Sequence, residues 1–191
     1  MPARTRLVVI YSGFFAVVVL GLILARTLRP EATPVYELSN SVVLSGDGIA
    51  TNANLTGQYL AEVELIAISG EVISTKTFRG TPMIINIWYS TCEPCRREMP
   101  ILAASAKKYS NQVRFIGINI KDTAKVATEF AQKYGVKFEL LLDANGRFIT
   151  ATKISTAPVT LAVNAEGTIT NQVAGEISAD KLEEIVKELL K

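Results

Sequence analysis

An apolar run rich in β-branched residues, Ile84-Ile85-Asn86-Ile87-Trp88, meets the short polar stretch Tyr89-Ser90-Thr91 and then Cys92-Glu93-Pro94-Cys95-Arg96-Arg97-Glu98-Met99-Pro100. Such a run predicts a buried strand that turns directly into a helix. Cys92 then falls at the helix start, where unpaired N–H groups and the positive end of the helix dipole stabilise an anion. A thiolate is such an anion, so Cys92 is the expected nucleophile. Cys95 follows one turn later, within reach for a disulfide. Pro94 suits the first helical turn and stiffens the loop between the sulfurs.

These are the only two cysteines among 191 residues, and the chain has no histidine. A C-x-x-C pair can belong to a zinc site, a haem attachment, a structural disulfide or a redox dithiol. One protomer here cannot complete a tetrahedral zinc site from nitrogen and sulfur ligands, so no metal site is expected. A Cu(I) carrier is disfavoured for the same reason, although two cysteines and a methionine could hold that ion. Arg96 follows the second cysteine, which excludes a C-x-x-C-H haem sequence. A structural disulfide and a redox dithiol both remain, the second leading.

Two acids lie close by. Glu93 puts a negative charge between the sulfurs, which raises thiol pKa values and favours a reductant over a strong oxidant. Glu98 stands three residues beyond Cys95 on the same side of the expected helix. It reads either as a proton acceptor and donor for the thiols or as a solvated glutamate pairing with Arg97 or a lysine.

The pattern G-x-P-x-x-x-N-x-W-x-x-x-C-x-P-C-R-x-E-M-P is met by Gly80, Pro82, Asn86, Trp88, Cys92, Pro94, Cys95, Arg96, Glu98, Met99 and Pro100. It resembles the thioredoxin-like fold, and within it the membrane-anchored TlpA/ResA-type thiol–disulfide oxidoreductases. The resemblance implies an α/β fold: a central mixed β-sheet flanked by helices, with an N-terminal β-hairpin and a central insertion. It makes Cys92 the attacking sulfur, Cys95 the resolving one and Glu98 the acid coupled to both. Asn86 stands where thioredoxin proper has a buried acid; an amide cannot carry a proton, which shifts that task to Glu98 or water. Trp88 reads as core packing beneath the site. Pro158, in Thr156-Ala157-Pro158-Val159-Thr160, matches the cis-proline loop of the fold, with Ala157 lining a small apolar substrate groove. No cofactor is implied. Implied partners are disulfide-bearing exported proteins, apocytochrome c among them, and a membrane thiol donor of the CcdA/DsbD type. A disulfide-forming oxidant or isomerase on the same fold, and a tethered binding module with a structural disulfide, stay open as alternatives.

The rest of the chain sorts into three parts: 1–29, 30–56 and 57–191. Leu7 to Ala25 carry no charge and as a helix would rise roughly 28 Å, about the hydrocarbon thickness of a bilayer. Ile23 and Ala25 make no small-x-small cleavage site, so 1–29 is expected to be an uncleaved signal anchor. Basic residues flank the span on both sides, and the positive-inside rule is nearly silent. The single span and the resemblance place the domain on the extracytoplasmic side of the cell membrane. Residues 30–56 are rich in turn formers and read as a flexible linker. The net charge of +2 gives no reason to expect nucleic-acid binding.

Within 57–191, Val63–Ile68 and Val72–Thr75 flank Ser69-Gly70 as a hairpin. The family commonly carries a proline and an aromatic there, where this chain has Ala61 and Val63. Strands are expected at Met83–Tyr89, Val113–Asn119 and Leu140–Leu142, and a second hairpin at Val159–Asn164 and Ile169–Val173. Helices are expected at Glu93–Tyr109, Thr123–Tyr134, Asn145–Lys153 and Ala179–Leu190. The second of these is expected to turn Val126, Phe130 and Tyr134 to the core. The last has Ser178 as N-cap and a stripe of Leu182, Ile185, Val186, Leu189 and Leu190.

Overall fold

The computed structural model describes residues 51–191; the expected span and most of the linker lie outside the described residues. Among those described, no helix is long and apolar enough to cross a membrane. The elements are β1 (Glu64–Ala67), β2 (Val72–Ser74), a short 3-10 turn (Thr75–Phe78), β3 (Met83–Trp88), α1 (Glu93–Lys108), β4 (Arg114–Asn119) and α2 (Ala124–Lys133). There follow β5 (Glu139–Leu142), α3 (Arg147–Thr152), β6 (Val159–Val163), β7 (Ile169–Ala174) and α4 (Ala179–Leu189).

Seven strands form one mixed sheet in the order β2-β1-β5-β4-β3-β6-β7. The pairs β3/β4 and β4/β5 are parallel; the others are antiparallel. The implied thioredoxin-like α/β fold, with its N-terminal hairpin and its inserted α2–β5 unit, is what the described residues adopt. Strand β3 sits inside the sheet with every residue buried, which explains its near-continuous apolar sequence. Alternation sends Ile84, Asn86 and Trp88 to one face and Met83, Ile85 and Ile87 to the other. On the first face α1, α2 and α4 close a core around Trp88, Met99, Leu102, Phe130, Leu182 and Val186. On the second, Phe78, Phe148, Ile154 and Leu161 pack against Ile85 and Ile87.

Three expectations are corrected. Residues 52–56 are not free linker: Leu55 is buried, and Ala53 N–H donates to the Lys153 carbonyl. The packed unit therefore starts before Gly57. In α2 the buried face is Ala127, Phe130 and Ala131, whereas Val126 is 39% exposed. Spacing by fours alone drifts around a 3.6-residue turn, so the buried face runs through Ala127 and Ala131 beside Phe130. In α4, Leu182, Ile185 and Val186 are buried but Leu190 is the C-cap and is exposed.

Candidate active site

The end of β3 delivers the chain into the turn before α1. Asp122, following β4, grips that turn: its carboxylate accepts from Ser90 N–H (2.6 Å), Ser90 Oγ (2.7 Å) and Asn119 Nδ2 (2.7 Å). Asn119 Oδ1 in turn accepts from the Lys121 and Asp122 N–H groups. Parallel pairing of Trp88 with Asn119 brings these two strand ends together. Sequence reasoning did not find this brace. Asn119-x-x-Asp122 is a local turn signal, but nothing local links it to Ser90.

Cys92 is the N-cap of α1, and its Sγ accepts from the Cys95 N–H at 3.2 Å. The two cysteines are joined as a disulfide. Cys92 is 4% exposed and Cys95 0%, so what access there is to the pair is at Cys92. Pro94 lies in the first helical turn, and the helix continues through Pro100. Glu93 is exposed and paired with Arg96 at 3.0 Å and Arg97 at 3.8 Å. Two guanidinium groups thus offset the charge that the sequence assigned to the space between the sulfurs, and its influence on the thiols is smaller than expected.

Glu98 is 0% exposed. Arg97, its expected surface partner, instead binds Glu176 and Glu93. The Glu98 carboxylate accepts from Asn86 Nδ2 (2.8 Å) through Oε1 and from Ile177 N–H (2.9 Å) through Oε2. Asn86 Nδ2 also donates to Thr160 Oγ1 (3.2 Å). Burial raises the Glu98 pKa from 4.5 to about 7, against the two hydrogen bonds that lower it, while the charge of Glu176 adds a smaller push upward. A carboxyl that titrates near neutrality can take and return a proton at working pH. As Cys95 and Glu98 are three residues apart on one helix, their Cβ atoms are roughly 5–6 Å apart. The solvated reading of Glu98 is excluded by its burial.

The sheet places the other expected residues at the same end. Ile87 pairs with Val159, so Ala157 and Pro158 lie at the end of β6 beside the end of β3. Ala157 is half-buried and packs against the core cluster that contains both cysteines. The Ala157–Pro158 peptide is cis, as the loop resemblance implies. Trp88 is fully buried and stacks on Phe130 with ring centroids 4.7 Å apart. The fold therefore gathers Cys92, Glu93, Pro94, Cys95, Glu98, Ala157 and Pro158 at one end of the sheet.

Several known proteins are similar to this chain. ResA of Bacillus subtilis (strain 168), a thiol–disulfide oxidoreductase, is 26% identical over 144 residues, covering 75% of this chain and 78% of its own. ResA of Halalkalibacterium halodurans is 29% identical over 136 residues, covering 71% and 77%. The structure of dsbF from MTB, in mixed oxidised and reduced forms, superposes with a TM-score of 0.62 at 26% identity, covering 67% of this chain and 95% of that one. The Redoxin family model matches residues 55–189, nearly the whole described unit. With its N-capping cysteine, its disulfide and its thioredoxin-like sheet, the chain belongs to the Redoxin family, as a thiol–disulfide oxidoreductase of the ResA/DsbE type.

Proposed function

We propose that this oxidoreductase is a membrane-tethered, extracytoplasmic reductase of disulfides in exported proteins, apocytochrome c before haem attachment among them. The observation that carries the direction is Glu98, buried one helical turn beyond Cys95. Its negative charge, once ionised, disfavours a second charge on the neighbouring sulfur. The dithiol is then less stabilised as thiolate than in a strong oxidant, and gives up its electrons more readily.

The exchange proceeds in two displacements. In the reduced protein the Cys92 thiolate attacks one sulfur of a substrate disulfide; the substrate S–S bond breaks and the expelled sulfur takes a proton. Glu98 then accepts the Cys95 proton. The Cys95 thiolate attacks Cys92 Sγ, closing the disulfide and releasing the second substrate sulfur, which is protonated in turn. Two electrons and two protons pass to the substrate. A thiol donor of the CcdA/DsbD type would reverse these steps on the protein. Ala157 and Pro158 form the wall along which an extended substrate segment lies.

Equilibration with defined thiol–disulfide buffers tests the direction. A potential near or below thioredoxin's value of about −270 mV is expected, and one near the DsbA value of about −120 mV would make the protein an oxidant. Cys95→Ser in the full chain is expected to accumulate mixed disulfides on Cys92 with exported proteins. A C-terminal reporter active only outside the cytoplasm tests the placement; activity only inside overturns it.

A further inference from the structure

Asn52 lies forty residues before the dithiol and belongs to no helix or strand. Its side chain nevertheless makes four hydrogen bonds to one place. Oδ1 accepts from Ser155 N–H (2.8 Å) and Thr156 N–H (2.9 Å), while Nδ2 donates to the Thr156 carbonyl (3.1 Å) and Thr156 Oγ1 (2.9 Å). Ala53 N–H adds a bond to the Lys153 carbonyl at 3.3 Å. The segment is itself held from β7: Gln172 Oε1 accepts from Leu55 N–H (2.8 Å) and Gln172 Nε2 donates to the Ala53 carbonyl (2.9 Å). Residues 52–55 thus form a strap, anchored at its end by the buried side chain of Leu55.

What the strap holds is the loop between α3 and β6, which leads directly into Ala157 and Pro158. Ser155 and Thr156 are exposed, so burial does little to order them. Two consecutive N–H groups converge instead on one carboxamide oxygen, and the amide nitrogen takes the carbonyl and hydroxyl of the second residue. An asparagine side chain supplies both the acceptor and the donors for this pattern.

We propose that Asn52 is a positioning residue for protein substrates, holding the Ser155–Thr156 loop in the form that presents Ala157 and Pro158 to a substrate segment. The proposal deepens the thiol-exchange reading and rests on it. A segment that lies along a mobile loop must order that loop on binding, and here the ordering is done beforehand. A small disulfide needs to reach only Cys92 Sγ and gains nothing from the loop.

The test uses the full chain, reduced by excess dithiothreitol, with insulin and with hydroxyethyl disulfide. In each turnover the Cys92 and Cys95 thiols become a disulfide and one substrate disulfide becomes two thiols; dithiothreitol then restores the dithiol. Asn52→Ala is expected to raise KM for insulin about threefold to tenfold, with kcat and the small-disulfide rate held within about twofold. Amide exchange at Ser155 and Thr156 should speed up while that of β3 does not. Asn52→Asp keeps the acceptor and loses the donor, so its KM should fall between wild type and Asn52→Ala. An unchanged insulin KM in an active Asn52→Ala protein overturns the positioning role alone. An equal fall with both substrates also overturns it, because the defect would then lie in the dithiol. Failure of the wild type to reduce either substrate removes the exchange reading and this proposal together.

Discussion

Glu98→Gln should change how stability depends on pH, and the direction follows from burial. In the unfolded chain the Glu98 carboxyl ionises at its ordinary pKa of 4.5, whereas in the folded protein it does so at about 7. Between those values the folded state keeps a proton that the unfolded state has lost. Folding stability from this group is therefore fully present below about pH 4.5 and is lost as pH rises through about 7. The separation corresponds to roughly 3 kcal/mol. A glutamine carries no charge, so that dependence should vanish. The substitution can keep both hydrogen bonds that Glu98 makes. The introduced glutamine can present its oxygen to Ile177 N–H and, after the Asn86 amide turns over, its nitrogen to Asn86 Oδ1; Asn86 Nδ2 then takes the buried position that has no partner among the described residues. Urea unfolding of the oxidised full chain from about pH 4.5 to about pH 8 measures the effect. The difference between variant and wild type should grow with pH in favour of the variant, by about 2–3 kcal/mol across the range. Parallel stability curves for the two proteins would refute the buried, near-neutral carboxyl. So would a variant that loses stability relative to wild type as pH rises.

Other substitutions probe the surroundings of the dithiol. Asn86→Asp places a second carboxyl within hydrogen-bond distance of Glu98, so the pair should share a proton; the pH at which stability falls should move upward in the same titration. Asp122→Ala frees Ser90 N–H and Oγ and should cost about 1–3 kcal/mol in urea unfolding, with slower dithiol exchange as the turn before Cys92 loosens. Gly117→Ala would bring a Cβ to 2.8 Å from Leu140 Cδ2 and 2.9 Å from Trp88 Nε1. Overpacking of this kind should cost about 1–3 kcal/mol, and the near-UV spectrum of the single tryptophan should change with it.

Periodicity and punctuation placed most elements within a residue or two. The strands alternate or run apolar according to whether one face or both are covered, and Ser178 and Thr123 mark helix starts by capping them. The dithiol was legible for the same reason. A β-branched run ending at a cysteine, with a proline two residues later, is a local signal whose chemistry follows from the helix terminus. Helix faces were less legible: Val126 and Ala127 differ by one position, and only the sheet they approach selects the alanine.

Local sequence thus determined that this chain carries a pair of sulfurs at the start of a helix after a buried strand. Tertiary structure decided what surrounds them. Glu98 could have been a surface carboxylate by sequence alone. It is instead buried, with its pKa raised to about 7, because Asn86, Thr160 and Ile177, contributed by β3, β6 and the approach to α4, meet around it. Asn52 and Asp122 act across large separations in the chain, and a side chain's hydrogen-bonding partner at such range is set by where the sheet brings strand ends together. Desolvation and long-range hydrogen bonding belong to the folded chain, so no reading of neighbouring residues could supply them.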